Sequence, residues 1–171
     1  DLHCNSQYWG KIRFTNNTAA NNPTTLRLTF SQPVLVNSLQ VGTISYITAG
    51  INGRERISVT GYLNNNTVAS TNPSGSGDNC GSVNSTGPTI TSSGNTRIIT
   101  GVLEQTNDDA TNAYNKASLS YTNLVDRIDI DFTMLVNFDR PGSVSLNAIS
   151  ISNPCTVASG TIGSDQTICE N

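Results

Sequence analysis

The stretch RIDIDFTM, residues 127–134, decides the fold class because apolar and polar side chains alternate along its whole length. The apolar set would share one face of a strand: Ile128, Ile130, Phe132 and Met134. The polar set would share the other: Arg127, Asp129, Asp131 and Thr133. A period of two residues is that of a β-strand with one buried face. We expect the apolar face to line a core and the polar face, both aspartates included, to be solvated.

Alternation of the same kind recurs along the chain, between clusters of Asn, Gly, Pro and Ser that indicate turns. In residues 25–31, Leu26, Leu28 and Phe30 would share one face, with Arg27 and Thr29 on the other. The further strand candidates are residues 8–15, 33–47, 56–62, 96–103, 117–121 and 143–152. The stretch 33–47 is long enough for one bent strand or two short ones. No segment has a sustained apolar period of 3.6 residues. The sequence therefore predicts an all-β fold with little helix: eight to ten strands in an antiparallel β-sandwich of jelly-roll or Greek-key type.

One region departs from this pattern. Residues 64–95 (NNNTVASTNPSGSGDNCGSVNSTGPTITSSGN) are mostly small and polar. Apart from short apolar pairs around Val68 and Ile90, the region offers little to bury. We expect a long surface excursion, with Cys80 as a point of attachment.

The composition excludes some partners. Of 171 residues, 35% are hydrophobic and only 12% are charged, and the formal net charge is −3. The chain has two lysines, Lys11 and Lys116, so no polycationic face is expected and nucleic acid is not a predicted partner. No apolar stretch approaches the roughly 20 residues that a spanning helix needs, and we therefore expect no membrane insertion.

Four cysteines, Cys4, Cys80, Cys155 and Cys169, are too far apart for paired zinc-ligand spacing and favour disulfides in an oxidising, extracellular compartment. Three full pairings are possible. We favour Cys4 with Cys155, because these two bracket the strand-rich body and the first and last strands of a sandwich often lie side by side. A disulfide that closes so long a loop contributes about 4–5 kcal/mol in the chain-entropy model.

After Cys155 the sequence is rich in small residues and has no further apolar strand pattern. We expect one β-sandwich domain over residues 1–155, and over residues 156–171 a linker and the start of a following module. Residues 160–169 (GTIGSDQTIC) resemble the opening of the repeated immunoglobulin-like modules in the large gliding-motility (SprB-like) adhesins of Bacteroidota and in related proteins exported by the type IX secretion route. The resemblance implies that Cys169 pairs with a cysteine of that following module, beyond Asn171.

The body carries a second resemblance. Residues 25–34 (TLRLTFSQPV), followed by RISVTGY at 56–62 and the late LNAISIS at 146–152, look like jelly-roll domains of bacterial surface proteins. In those domains the Phe-Ser-x-Pro-Val strand end leads into an acidic D-x-D element. Here residues 42–45 read Gly-Thr-Ile-Ser, so no metal site is carried over to this position.

Calcium is the one cofactor that the residues suggest, because it accepts carboxylate, amide and carbonyl oxygens from irregular loops. The candidate ligands lie close together in sequence: Asn107, Asp108, Asp109 and Asn112, with Glu104 nearby. A second, smaller candidate is Asp78 with Asn79. The alternative is that these Asx residues form turns by bonding their own backbone.

A ligand-binding face is expected on the polar side of residues 127–134. Arg127, Asp129 and Asp131 would supply polar contacts to a glycan or protein ligand, and aromatic rings could act as stacking platforms. The candidate rings are Tyr8, Trp9, Tyr46, Tyr62, Tyr114 and Tyr121.

Catalysis is not expected. The only histidine, His3, is next to Cys4 and close to a terminus, and a hydrolytic carboxylate pair would have to be drawn from Glu55, Glu104, Asp129 and Asp131. The leading hypothesis is a non-catalytic, extracellular cell-surface module of a large adhesin that acts in attachment or gliding motility beside neighbouring modules of its chain. The alternative is a carbohydrate-binding module of a secreted multidomain enzyme.

Overall fold

The computed structural model describes residues 10–14, 23–44, 46–47, 53–79, 82–84, 86–102, 104–105, 113–135 and 142–153. Within these ranges the chain forms β-strands and no helix, which confirms the predicted all-β fold. The strands are β1 (Gly10–Phe14), β2 (Thr24–Ile44), β3 (Tyr46–Ile47), β4 (Gly53–Leu63), β5 (Asn66–Val68), β6 (Thr71–Asn79), β7 (Ser82–Asn84), β8 (Thr89–Ser93), β9 (Thr96–Thr100), β10 (Glu104–Gln105), β11 (Ala113–Ser120), β12 (Val125–Met134) and β13 (Gly142–Ser152).

The strands form one nearly closed, antiparallel sheet in two halves that share β2. The first half has the order β8-β9-β4-β12-β2, with β5 also paired to β4. In the second half β2 pairs with both β11 and β13, β6 and β7 continue outward from β11, and β1 pairs with β13. A parallel pairing of two residues joins β10 to β3.

The long strand β2 connects the halves. Residues 24–34 pair with β12, whereas residues 35–44 pair with β11 and β13. The pairing with β12 shifts register between Val125 and Arg127, which face Val34 and Thr29. Pro33 lies inside this irregular part of β2, where the missing N–H of proline removes no regular ladder bond. The stretch 33–47 therefore forms neither a separate bent strand nor two short ones, because residues 33–44 continue the preceding strand and only Tyr46–Ile47 forms a strand of its own.

The core lies between the two halves, and strands of both contribute to it. Its buried apolar members are Val34, Val36, Leu39, Val41, Ile57, Val59, Ile99, Ala117, Leu119, Tyr121, Val125, Ile128, Ile130 and Phe132. Burying a side chain of the Val, Leu, Ile or Phe type stabilises the fold by about 1.5–3 kcal/mol. The alternation in β12 therefore predicted its core face correctly at Ile128, Ile130 and Phe132, and that in β2 at Leu26, Leu28 and Phe30, which pack against the core.

Tyr121, directly after β11, packs against the backbone of β4. A Cβ atom at Gly61 would lie 2.4 Å from Cε1 of Tyr121, so only glycine allows this approach. The Tyr121 N–H donates to the carbonyl of Val36 at 2.9 Å. Its hydroxyl is buried without a hydrogen-bond partner among the described residues. The contact therefore holds β4 against the core. Tyr62 follows Gly61 directly, so its side chain lies on the opposite side of β4.

Asn115 on β11 is a fully buried amide that ties two segments together. Its Oδ1 accepts from the N–H of Val102 at 2.7 Å, and its Nδ2 donates to the carbonyl of Thr86 at 3.0 Å. Val102 follows β9 and Thr86 precedes β8. Because buried backbone groups must find partners, this one side chain closes that end of the β8–β9 pair.

Residues 64–95 do not form the expected excursion away from the sheet, although most of the described residues in this region are exposed. Within this region the chain forms β5 to β8, and β6 pairs with β11 along almost its whole length. A ladder needs backbone N–H and C=O groups rather than apolar side chains, so a segment of Ser, Thr, Gly and Asn can extend a sheet. Gly75 lies so close to the ring of Pro88 that a Cβ there would approach Cδ to 2.5 Å. Small residues are therefore required for this packing.

The expectation that the first and last strands lie side by side is confirmed. β1 runs antiparallel to β13, with Gly10 opposite Leu146 and Phe14 opposite Gly142. The four cysteines and residues 154–171 lie outside the described residues, as does Asn52 of the predicted turn. The Cys4–Cys155 disulfide, the domain boundary at residue 155 and the following module stay predictions.

Candidate functional site

The candidate site is the outer surface of the first half of the sheet, where β2, β12 and β4 lie side by side. We call it the polar face and define it by Arg27, Tyr62, Arg127, Asp129 and Asp131. Strand alternation puts these side chains opposite the core, and register brings them together. Asp129 faces Arg27 on β2, and Arg127 faces Tyr62 on β4.

Asp129 and Arg27 form a two-pronged ion pair. The Arg27 Nε donates to Oδ1 of Asp129 at 2.8 Å, and Nη2 donates to Oδ2 at 2.9 Å. The hydrogen bonds to Asp129, followed by its charge, raise the pKa of Arg27 further above its ordinary value. Only 10% of the Asp129 side chain is exposed, against 56% of Arg27. The arginine therefore covers the carboxylate and keeps part of its own surface in solvent.

Arg127 is fixed from three sides. Its guanidinium lies 3.8 Å from the centroid of the Tyr62 ring, a cation–π contact. Its Nη1 donates to Oδ1 of Asn65 at 3.1 Å. Its Nε lies 3.5 Å from Oδ1 of Asp129, which is an ion pair but not a hydrogen bond. The side chain is 22% exposed. Arg127 is thus a preorganised planar cation.

The turn between β4 and β5 supplies Asn65. Asn64 and Asn65 have φ values of 51° and 64°, the left-handed conformation that a tight two-residue hairpin requires. The N–H of Asn64 donates to Oδ2 of Asp126 at 2.7 Å, which attaches the turn to the start of β12. Asparagine tolerates this conformation better than most residues, so the sequence Asn64-Asn65 both makes the turn and orients Arg127.

Asp131 completes the polar face at its other end. Its Oδ1 accepts a hydrogen bond from Oγ1 of Thr25 at 2.5 Å, across the same β2–β12 pair. Both oxygens of Asp129 are therefore held by an arginine, whereas Asp131 uses one oxygen to accept from a hydroxyl. Asp129 uses both carboxylate oxygens to hold Arg27, so its role is to position that arginine. The face therefore offers a partner the remaining N–H groups of Arg27 as donors and Oδ2 of Asp131 as an acceptor.

One expectation for this face is wrong. Asp129 was expected to be a solvated carboxylate, yet the residue is buried, with 7% of its surface exposed, and its neighbour Thr133 is buried at 5%. The cause is the cross-strand partner, since Arg27 lies over Asp129. Arg127 and Asp131 are half-buried, and the structure brings all three predicted ligand-binding residues onto one face.

Arg27, Tyr62, Asn65 and Thr25 were not predicted as partners of these residues. Alternation in residues 25–31 was enough to put Arg27 on the outer side of its strand. The missing information was register, because the pairing of β2 with β12 decides which aspartate faces Arg27. Tyr62 was one of six candidate platforms; Tyr121, another, is wrong as a platform because it lies in the core.

The predicted calcium ligands cannot be placed in full. Asn107, Asp108, Asp109 and Asn112 lie outside the described residues, and Glu104 is described only as part of the backbone of β10. Across the described ranges, no three His, Cys, Asp or Glu residues form a group that could hold a metal ion. Calcium binding stays a prediction. Of the remaining aromatic candidates, Tyr8 and Trp9 also lie outside the described residues, and so does His3.

Comparison with known proteins adds no relative. No family model matches the chain, and no curated protein or solved structure shows significant similarity to it. In the part of the chain that the structure describes, no helix has the length and apolar character needed to cross a membrane.

Proposed function

We propose that this chain is a non-catalytic, extracellular module of a large bacterial cell-surface adhesin, and that it acts in attachment or gliding through its polar face. The observation that carries the proposal is the arrangement of Arg27, Asp129, Arg127 and Tyr62. These side chains hold one another in place across three strands. A ligand that meets them finds donors already ordered, so less side-chain entropy is lost on binding.

The cell-surface setting rests on the sequence. The resemblance of residues 160–169 to the opening of an adhesin repeat supports a chain of several modules. The small, polar composition and the four cysteines favour an oxidising environment outside the cell. In such a chain a weak contact per module is sufficient, because tethered modules bind with a high effective concentration.

A non-catalytic role is supported by what the two aspartates do. Acid–base chemistry needs a carboxyl group that can reach a substrate proton. Asp129 is covered by Arg27 and uses both oxygens to hold it, while Asp131 accepts from Thr25. The two carboxylates that were the best hydrolytic candidates therefore have structural partners.

The alternative is a carbohydrate-binding module of a secreted multidomain enzyme. The stacking of Arg127 on Tyr62 favours it, because flat sheet surfaces with fixed planar groups suit sugar rings and hydroxyls. The two proposals share the polar face and differ in the protein to which the module is attached.

A printed panel of polysaccharides and cell-surface glycans tests the proposal. The purified 171-residue chain should bind at least one glycan with micromolar affinity in calcium, and Arg127→Ala should weaken that binding about tenfold or more. Asn37→Ala, an exposed amide on the second half of the sheet, is the matched control and should bind as wild type does. Repeating the panel in EDTA tests whether calcium contributes. If the wild-type protein binds no glycan of the panel, attachment to glycans is contradicted.

A further inference from the structure

The polar face brings two guanidinium groups close together in a protein whose formal net charge is −3. Arg27 and Arg127 both contact the single carboxylate of Asp129. Arg56, on the same side of β4 as Tyr62, adds a third guanidinium opposite Thr133. Asp131 is the second carboxylate of the polar face, so its two arginines and two aspartates balance. Beside the face, Arg56 adds one positive charge and Asp126, which holds the β4–β5 turn, adds one negative charge.

The donors of Arg27 are only partly used. A guanidinium has five N–H bonds in a planar fork, and Arg27 spends one on each oxygen of Asp129, from Nε and Nη2. Nη1 lies on the edge away from that carboxylate. With 56% of the side chain exposed, this edge is open to a ligand while the other edge is held by Asp129. The ion pair thus orients Arg27 without consuming it.

The second cation lies at a fixed spacing from the first. Arg27 is opposite Asp129, and Arg127 is two residues along β12 on the adjacent strand. From strand geometry the two backbones are about 7 Å apart along the strand and about 5 Å across it. Tyr62 prevents Arg127 from turning away. A ligand with anionic groups at intervals along a chain could engage both.

We propose that the polar face binds an acidic glycan, whose carboxylate or sulfate group is received by the free edge of Arg27, with Arg127 as the second cation. Planar guanidinium groups match carboxylate and sulfate oxygens with paired hydrogen bonds. Both oxygens of Asp129 are occupied, so among the carboxylate oxygens of the face Oδ2 of Asp131 is left as an acceptor, beside the donors of Arg27 and Arg127. This inference rests on the proposed attachment function and names its class of ligand.

Matched pairs of polysaccharides separate charge from sugar shape. The full chain is titrated calorimetrically with polygalacturonate and with its carboxyl-reduced form, and then with dextran sulfate and dextran. We expect binding to one acidic polymer at least about tenfold tighter than to its neutral counterpart. Binding should weaken as sodium chloride is raised from about 50 to 300 mM, because screening acts on exposed charges. The preferred pair identifies the anionic group.

Two variants test the role of Arg27 in binding the acidic polymer. Arg27→Gln removes the charge and should lower affinity for the acidic polymer about tenfold. Arg27→Lys keeps the charge but loses the fork, so its affinity should lie between those of Arg27→Gln and wild type. Thermal unfolding of each variant shows that it is folded, and the salt dependence of the wild type supplies a test that needs no variant.

The outcomes distinguish the two proposals. Equal affinity for charged and reduced polymers, with loss of binding in Arg127→Ala, would overturn the acidic-glycan inference and leave attachment through the face standing. Acidic binding that is unchanged in Arg27→Gln would also overturn the inference, because the site would lie elsewhere. Absence of binding to every polymer here and to every glycan of the panel would overturn both.

Discussion

Arg27 and Asp129 lie 102 residues apart in the sequence, and two hydrogen bonds of 2.8 and 2.9 Å join them across the β2–β12 pair. The bonds form on the outer surface of the sheet, yet they bury the carboxylate. The pair therefore links the stability of the sheet to the geometry of the polar face, because the same contact that holds the strands together also orients Arg27.

Asp129→Asn should destabilise the protein. The amide cannot accept from both arms of Arg27, and it leaves the charge of Arg127 without its nearest anion. We expect the midpoint of thermal unfolding to fall by about 3–6 °C. Asp131→Asn is the matched control: its carboxylate accepts from a threonine hydroxyl and has a weaker effect on Arg27 than Asp129 does, so its midpoint should fall by less than half as much. Equal shifts in the two variants would contradict the special role of Asp129.

The strand pattern of β12 was predictable because it depends on nearest neighbours in sequence. Ile128, Ile130 and Phe132 alternate with polar residues, and a half-buried strand is the one element that buries all three together. The same reasoning identified the outward position of Arg27 from residues 25–31. These inferences need no knowledge of which strands pair.

Other features depend on pairing and were missed. β6 reads TNPSGSGDN and has no apolar side chain apart from Pro73, so no local pattern marks it as a strand. It forms a strand because β11 supplies a ladder. The burial of Asp129 follows from the register that places Arg27 over it. The stacking of Arg127 on Tyr62 likewise requires β4 to lie beside β12. Register between distant strands is a property of the packed sheet.

Gly61→Ala should disturb the core beneath the polar face. The new methyl group would lie 2.4 Å from Cε1 of Tyr121, so either the ring or β4 must move. Overpacking of this kind costs about 1–3 kcal/mol in the free energy of unfolding, measured by chemical denaturation. The double variant Gly61→Ala/Tyr121→Leu removes the clash and should lose less stability than the sum of its single changes. Strictly additive losses would show that the two residues do not interact.

Asn115→Ala should show how much the buried amide of Asn115 contributes to the free energy of unfolding. The N–H of Val102 and the carbonyl of Thr86 would both lose their hydrogen bond to this amide, which should cost about 1–3 kcal/mol. Asn37→Ala, at an exposed position, should change stability by less than about 0.5 kcal/mol. Amide hydrogen exchange at Val102 should accelerate in Asn115→Ala alone. Unchanged exchange at Val102 would mean that another group protects it.

Because the hydroxyl of Tyr121 is buried, we expect the protein to become less stable in alkaline solution. Burial raises the pKa of Tyr121 from 10.0 to about 12, since the ionised form is poorly solvated in the core. The unfolded chain therefore releases this proton first as pH rises. The contribution of the neutral Tyr121 side chain to the free energy of unfolding is complete below pH 10. It disappears as the pH rises from about 10 to 12.

Comparison with Tyr121→Phe isolates that effect. At neutral pH the variant should be as stable as wild type or about 1 kcal/mol more stable, because it removes a buried hydroxyl that lacks a partner among the described residues. Between neutral pH and pH 11 the wild type should lose about 1 kcal/mol relative to the variant. Parallel pH profiles, or a titration of all tyrosines near pH 10 by absorbance, would contradict the burial of this hydroxyl.

The most direct test of attachment through the polar face is a map of the bound ligand by nuclear magnetic resonance. The isotope-labelled protein is titrated with the tightest-binding glycan of the panel, and chemical-shift changes are followed for arginine Nε–H groups and backbone amides. The account predicts that the largest changes fall on Arg27 and Arg127 and on the amides around Tyr62. Changes concentrated on the second half of the sheet, with those three residues unmoved, would contradict it.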